Sequence, residues 1–329
     1  VDAVRCSWLI PVRNGGAWLD EAVRSALAEC GCDDEVVVVD DGSRDGAPAR
    51  LDVHPQLRLI HLPPSGLVAA LETGRAACQG AFIARLDADD RALPGRLAAQ
   101  LEVLEADPNV AAVGGKARLF AAEGKLLQGM AKYVDWVNAL QDLHREILVE
   151  SPMFHPAVTF RASAVSQIGG YRTGNMPEDY DLWLRLVMAG YRIVNVNETV
   201  VELRDHAARL TRTDPRYQQS AFDRCRKHFL IAGALTNPRR LVLWAGVRGG
   251  RPWLRWLQAE GHTVLAVIDI VATAQRASVP ILPPSALRDL EFDYLLVAVG
   301  TRGAREKIRA EISALRPDLV EGHDWWALR

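Results

Sequence analysis

The stretch AFIARLDADDRALPGR, Ala81–Arg96, runs an apolar segment straight into Asp87, Asp89 and Asp90 before a helical pattern resumes at Pro94. A short apolar run closed by turn-forming residues reads as a buried strand. Three carboxylates so close together repel one another, so the cluster needs a compensating partner. If the chain is extended there, Asp87 and Asp89 project to one side and Ala88 to the other, and two carboxylates share one target. A hard divalent cation that also takes phosphate oxygens is one such target. A solvated turn, with Asp90 complementing the start of the following helix, is the plainer alternative.

Upstream, the same alternation repeats. CSWLIP precedes AWLDEAVRSALAE, EVVVVD precedes a Gly/Ser/Asp turn, and LRLIHL precedes GLVAALETGRAA. Short Val- and Ile-rich runs joined by helices indicate a parallel sheet built from βαβ units. PVRNGG follows the first strand, DDGSRDG the second and DADD the fourth, which gathers their side chains at one sheet edge. In such sheets ligands bind outside the carboxyl ends of strands.

Downstream, VAAVGGKARLFAAEGKLLQG reads as strands joined by a turn at EGK, and YVDWVNALQDLHREILVE as an amphipathic helix. HPAVTFRASAV, EDYDLWLRLVMAG, RIVNVN and TVVELRDH add strands and a helix, more like an acceptor platform than further nucleotide-binding units. TNPRR is a plausible linker. The expected organisation is therefore a first domain over 1–235 and a second, smaller α/β domain over 236–329.

Several polar residues sit where chemistry is plausible. Asp41, directly after VVVV, can accept hydrogen bonds from a nucleobase N–H, or it can close a local turn in which Gly42 takes the unusual backbone angles. Pro11 and Arg13 follow the first strand, and the planar guanidinium suits a base or a phosphate as well as it suits solvent. Glu178 and Asp179 open an apolar helical pattern, where capping and a general-base role are both open. His206 lies between basic residues in ELRDHAARLTR; a lone histidine is more often structural than a ligand.

Taken in order, PVRNGG, VVVVDDGSRDG, ARLDADDRALPGRLAAQ, GGYRTGNMPEDYDLWLRL and RDHAARLTR closely resemble the family 2 glycosyltransferases over roughly residues 5–235. The resemblance implies a nucleotide-diphospho-sugar transferase A-type fold, a Rossmann-like mixed α/β sheet. It implies an inverting, metal-dependent transfer from a nucleotide-sugar donor to a saccharide or lipid-linked acceptor hydroxyl, in surface polysaccharide or glycolipid assembly. By the same resemblance Asp41 holds the base with Pro11 and Arg13 beside it, Asp87 lies near the ribose, and Asp89 with His206 binds Mn²⁺ or Mg²⁺ on the diphosphate. Asp179 is the catalytic base and Glu178 assists at the acceptor. Relatives often carry an aromatic residue where Arg13 stands and an asparagine where Glu72 stands, which bears on donor preference.

In the C-terminal domain, LVLWAGVRGGRPW is a degraded dinucleotide-binding turn: Gly246 and Gly249 occupy two glycine positions, but Trp244 occupies the first, and Asp269 ends the next strand. That keeps open a nicotinamide-dependent oxidoreductase as a rival, beside a non-catalytic nucleotide-sugar binding or scaffold protein. Structural, acceptor-binding and assembly roles, including homo-oligomerisation, suit this unit better. Trp253, Trp256, Trp325 and Trp326 are expected in the core or an interface.

Composition bounds these readings. With 329 residues, 49% of them hydrophobic, the chain can bury a substantial core, and a net charge of −2 offers no global attraction to nucleic acid. The five cysteines lack paired CxxC spacing, which suits free thiols in a reducing compartment. No stretch approaches the roughly 20 apolar residues of a membrane span, so a cytoplasmic protein, with peripheral membrane contact allowed, is expected.

Overall fold

The computed structural model describes residues 4–124, 126, 128–246, 249–271, 275–276, 279–301 and 303–328. These fall into two compact units, Val1–Leu143 with Ser151–Cys225, and His144–Glu150 with Arg226–Arg329.

The first unit is built on eight strands: β1 Cys6–Val12, β2 Asp34–Asp41, β3 Leu57–Leu62, β4 Phe82–Arg85, β5 Arg91–Ala92, β6 Val110–Ala121, β7 Thr159–Arg161 and β8 Arg192–Asp205. Their order across the sheet is β3-β2-β1-β4-β7-β6-β8-β5. β1 pairs in parallel with both β2 and β4. Val36 to Val39 of β2 are fully buried, as expected of a parallel strand covered on both faces. The helix Leu67–Ala77 presses so closely on this sheet that a Cβ on Gly74 would come within 2.1 Å of Leu9 Cδ1 and 2.8 Å of Val39 Cγ2. Only glycine fits there.

Strand direction decides what meets at the sheet edge. β7 runs antiparallel to β4, and β6 antiparallel to β7, so two reversals restore the original direction. β8 then pairs in parallel with β6. The carboxyl ends of β1, β2, β4 and β8 therefore all reach the same edge, which brings His206 from far along the chain to the DADD cluster.

Three local expectations change. Residues 110–121 form one long strand; positions 125 and 127 of the expected turn and second strand lie outside the described residues, and a helix opens at Gln128 and runs to Ala139. That helix ends at Ala139, so YVDWVNALQDLHREILVE is broken, with only a short helical turn at Leu143–Glu146 following. RIVNVN and TVVELRDH join into the single strand β8, which absorbs its irregularities as register shifts against β6.

The second unit carries β9 Arg240–Trp244, β10 Thr263–Ile268, β11 Gln275–Arg276, β12 Val279–Leu282, β13 Tyr294–Val297 and β14 Trp325–Ala327, in the order β11-β12-β10-β9-β13-β14. Apart from β11, which is antiparallel, its strand pairs are parallel. The parallel strands follow the third-second-first-fourth-fifth sequence of a doubly wound sheet. Trp253, Trp325 and Trp326 are buried, Trp244 is 2% exposed at the end of β9, and positions 247 and 248 of the glycine turn lie outside the described residues. Among the described residues no helix is long and apolar enough to cross a membrane.

Candidate active site

A cleft of about 620 Å³ opens at the shared carboxyl edge of the first unit. Pro11, Arg13 and Asp41 line one end. Asp87, Asp89 and His206 line the floor, and Glu178 and Asp179 also face this space. All eight residues to which the resemblance gives a role thus border one cavity.

At the first end, Asp41 is 4% exposed and tied to the start of the helix Leu67–Ala77. Its Oδ1 accepts from Ser65 N at 2.5 Å and its Oδ2 from Gly66 N at 3.0 Å, while Arg13 Nη1 lies 3.7 Å from Oδ2. The preceding Asp40 closes the local turn instead, accepting from Ser43 N at 2.8 Å, with Gly42 at a φ of 70°. The two adjacent aspartates therefore divide the alternatives: one makes the turn, the other faces the cleft.

The floor does not have the extended geometry expected from alternation. Asp90 N donates to Asp87 O at 3.2 Å, which folds the triplet into a turn, and carboxylate oxygens of Asp87, Asp89 and Asp90 come within 4.8 Å of one another. Asp90 is no solvated helix-start residue: it is fully buried, accepts from Arg204 N at 2.7 Å, and the helix begins only at Arg96. Each carboxylate has a protein partner. Arg85 Nη2 donates to Asp87 at 2.5 Å, Arg209 Nη1 lies 3.5 Å from Asp90, and His206 Nε2 lies 2.6 Å from Asp89 Oδ2.

Burial alone would raise the Asp87 pKa, but Arg85, Arg209 and His155 outweigh it and hold the group below the usual carboxylate range. For Asp90 burial wins: despite Arg209, it and the neighbouring Asp89 and Asp87 push the pKa well above that range.

The other carboxyl pair opens the helix Glu178–Met188. Asp179 Oδ1 accepts from Tyr180 N at 2.7 Å. Glu178 is 2% exposed and accepts from Tyr217 OH at 2.7 Å. Burial, followed by the charge of Glu178, pushes Asp179 up to about 8.

Sequence reasoning missed Arg85, Arg209 and Tyr217. Arg85 left a signal, since an arginine inside the apolar run AFIARL, here 1% exposed, needs a buried anion. Tyr217, in the short turn Pro215–Tyr217, left none.

Residues 7–158 match the glycosyl transferase family 2 domain. An uncharacterized glycosyltransferase of Haemophilus influenzae is 28% identical over 198 residues, 59% of this chain and 72% of that protein. The amylovoran biosynthesis glycosyltransferase AmsE of Erwinia amylovora is 31% identical over 176 residues, 52% of this chain and 64% of that protein. Among solved structures, the mannosyltransferase PcManGT from Pyrobaculum calidifontis, in complex with GDP-Man and Mn²⁺, superposes with a TM-score of 0.51 at 17% identity, covering 78% of this chain and 84% of that one. That likeness carries the fold, the A-type fold of glycosyltransferases. The chain bears a family 2 glycosyltransferase domain.

Proposed function

We propose that this family 2 glycosyltransferase moves a sugar from a nucleotide-diphosphate donor to an acceptor hydroxyl with inversion at the anomeric carbon, using Mn²⁺ or Mg²⁺, in surface polysaccharide or glycolipid assembly. The observation that carries the reading is the meeting of Asp89 and His206 in a cleft that also holds Asp179. Every residue lining that cleft belongs to the first unit. The polysaccharide context rests on the similarity to AmsE, named for amylovoran biosynthesis.

The residues fit a divalent cation. Carboxylate oxygens of Asp87, Asp89 and Asp90 lie within 4.8 Å of one another, and His206 Nε2 comes within 2.6 Å of Asp89 Oδ2. Asp89 and His206 would hold the ion, with Asp87 beside them at the ribose. When bound, the ion neutralises charge on the departing diphosphate, an effect worth several kcal/mol.

The protein's own residues account for the remainder. Asp41 and Arg13 bind the base end of the donor, and Pro11 packs beside it. Asp179 in its ionised form takes the proton of the acceptor hydroxyl as the hydroxyl oxygen bonds to the anomeric carbon. The anomeric carbon–oxygen bond to the diphosphate breaks, and its electron pair leaves with the nucleotide. This is a single displacement without a covalent enzyme intermediate.

A panel of nucleotide sugars screened by thermal shift with and without Mn²⁺ tests the reading, because a ligand that binds only the folded state raises its melting temperature. One donor should stabilise the protein more with Mn²⁺ than without. Equal stabilisation in both conditions, or none with any donor, contradicts it.

A further inference from the structure

Two adjacent carboxyl groups open the helix Glu178–Met188, and both border the cleft, yet their surroundings differ. Glu178 is almost fully buried, and Tyr217 OH lies 2.7 Å from its Oε1 and 2.9 Å from its Oε2. Arg216 Nη1 lies 3.6 Å from Oε2. That arginine is itself fixed, because Asp214 accepts from Arg216 Nη2 at 2.8 Å and from its backbone N at 2.9 Å. Among the described residues Asp179 has only its neighbour's backbone N–H, from Tyr180, and it keeps an accessible edge.

From this asymmetry we infer that Tyr217 is a positioning residue: with Arg216, it locks Glu178 into the wall, so that Asp179 alone presents a carboxylate to the acceptor. The inference rests on the proposed role of Asp179 as base and deepens it. It also reassigns Glu178, which stands beside the base without touching the acceptor.

The consequence is electrostatic. A phenol O–H can only donate to a carboxylate, so the bond favours ionised Glu178 against the burial that raises its pKa. An ionised Glu178 makes a second charge on Asp179 harder to form. Arg85, Asp87 and Arg216 also act on this pair, Arg85 and Arg216 favouring ionised Glu178 and Asp87 disfavouring ionised Asp179. Removing the Tyr217 hydroxyl should shift the proton towards Glu178 and leave Asp179 easier to ionise.

The test needs no acceptor. In protein labelled with ¹³C at aspartate carboxyl carbons, the resonance absent from Asp179→Asn is that of Asp179, and its titration is followed by NMR. Glu178→Gln should lower its midpoint by about one unit or more, as loss of an adjacent like charge does. Tyr217→Phe should lower it in the same direction by less, with the melting temperature nearly kept. The double variant Tyr217→Phe/Glu178→Gln should match Glu178→Gln alone, since the hydroxyl acts only through Glu178. A midpoint that stays or rises in Tyr217→Phe, or an effect that adds to that of Glu178→Gln, overturns the inference. Failure of the underlying base assignment shows separately, as Asp179→Asn turning over donor and acceptor at the wild-type rate.

Discussion

His206 Nε2 lies 2.6 Å from Asp89 Oδ2 although 117 positions separate the two residues. β4 delivers the aspartate and β8 the histidine, and they meet because both strands finish at the same sheet edge. Trp18 packs against the imidazole at 4.7 Å between ring centroids, tilted by 46°, which helps hold the ring beside the carboxylate.

If these two residues hold the cation, His206→Ala should weaken Mn²⁺ binding in the presence of nucleotide diphosphate by about 10-fold to 100-fold or more, since ligands matter at least as much as the groups that orient them. Isothermal titration with Mn²⁺ checks it. Unchanged affinity removes His206 from the site.

Asp179→Asn should cut turnover by about 10² to 10⁴ while leaving the donor KM close to wild type, the pattern of a group acting in the transition state. Steady-state kinetics with the donor found by thermal shift, water or a sugar alcohol serving as acceptor, measures both constants.

The same residue links activity and stability to pH in opposite directions. Its folded pKa, about 8, lies above the ordinary aspartate value, so the folded state holds this proton more tightly than the unfolded chain does. The contribution is present below about pH 4 and is lost as pH rises towards 8. Turnover should rise over the upper part of that range as the base ionises. Asp179→Asn should therefore gain melting temperature relative to wild type as pH increases from 5 to 8. A difference that does not change with pH contradicts the raised pKa.

Glu72 has a definite structural task. Its Oε1 accepts from Tyr171 N at 2.6 Å, and the carboxylate pairs with Arg75 at 2.9 Å, tying the helix Leu67–Ala77 to the segment that leads into Glu178. Gly170 sits against it at a φ of 66°, where a Cβ would come within 2.5 Å of Glu72 Oε1. Gly170→Ala should cost about 1–3 kcal/mol from strained backbone and steric displacement. Glu72→Ala should cost about 1 kcal/mol for the lost hydrogen bond. Urea unfolding measures both.

Much of this architecture was legible in order and period. VVVV before DDGS, and AFIARL before DADD, mark parallel strands whose polar ends converge, and the carboxyl pair at the start of EDYDLWLRL marks a helix N-terminus. What escaped depended on contacts distant in sequence. The turn that folds Asp87 towards Asp90 is set by a backbone bond, by Arg204 at the end of β8 and by Arg209 just beyond it, not by local alternation. Tyr217 reaches Glu178 across 39 positions from a segment with no periodic pattern of its own. The long strands β6 and β8 sustain each other by pairing, which single-segment patterns divided with turns.

The most direct measurement is anomalous diffraction at the manganese edge from crystals soaked with Mn²⁺ and the nucleotide diphosphate that most stabilises the protein. The account predicts one peak touching both the Asp89 carboxylate and the His206 imidazole, with the diphosphate on its open side. Nucleotide clearly bound in the cleft with no peak there, or with the ion held elsewhere, would contradict it.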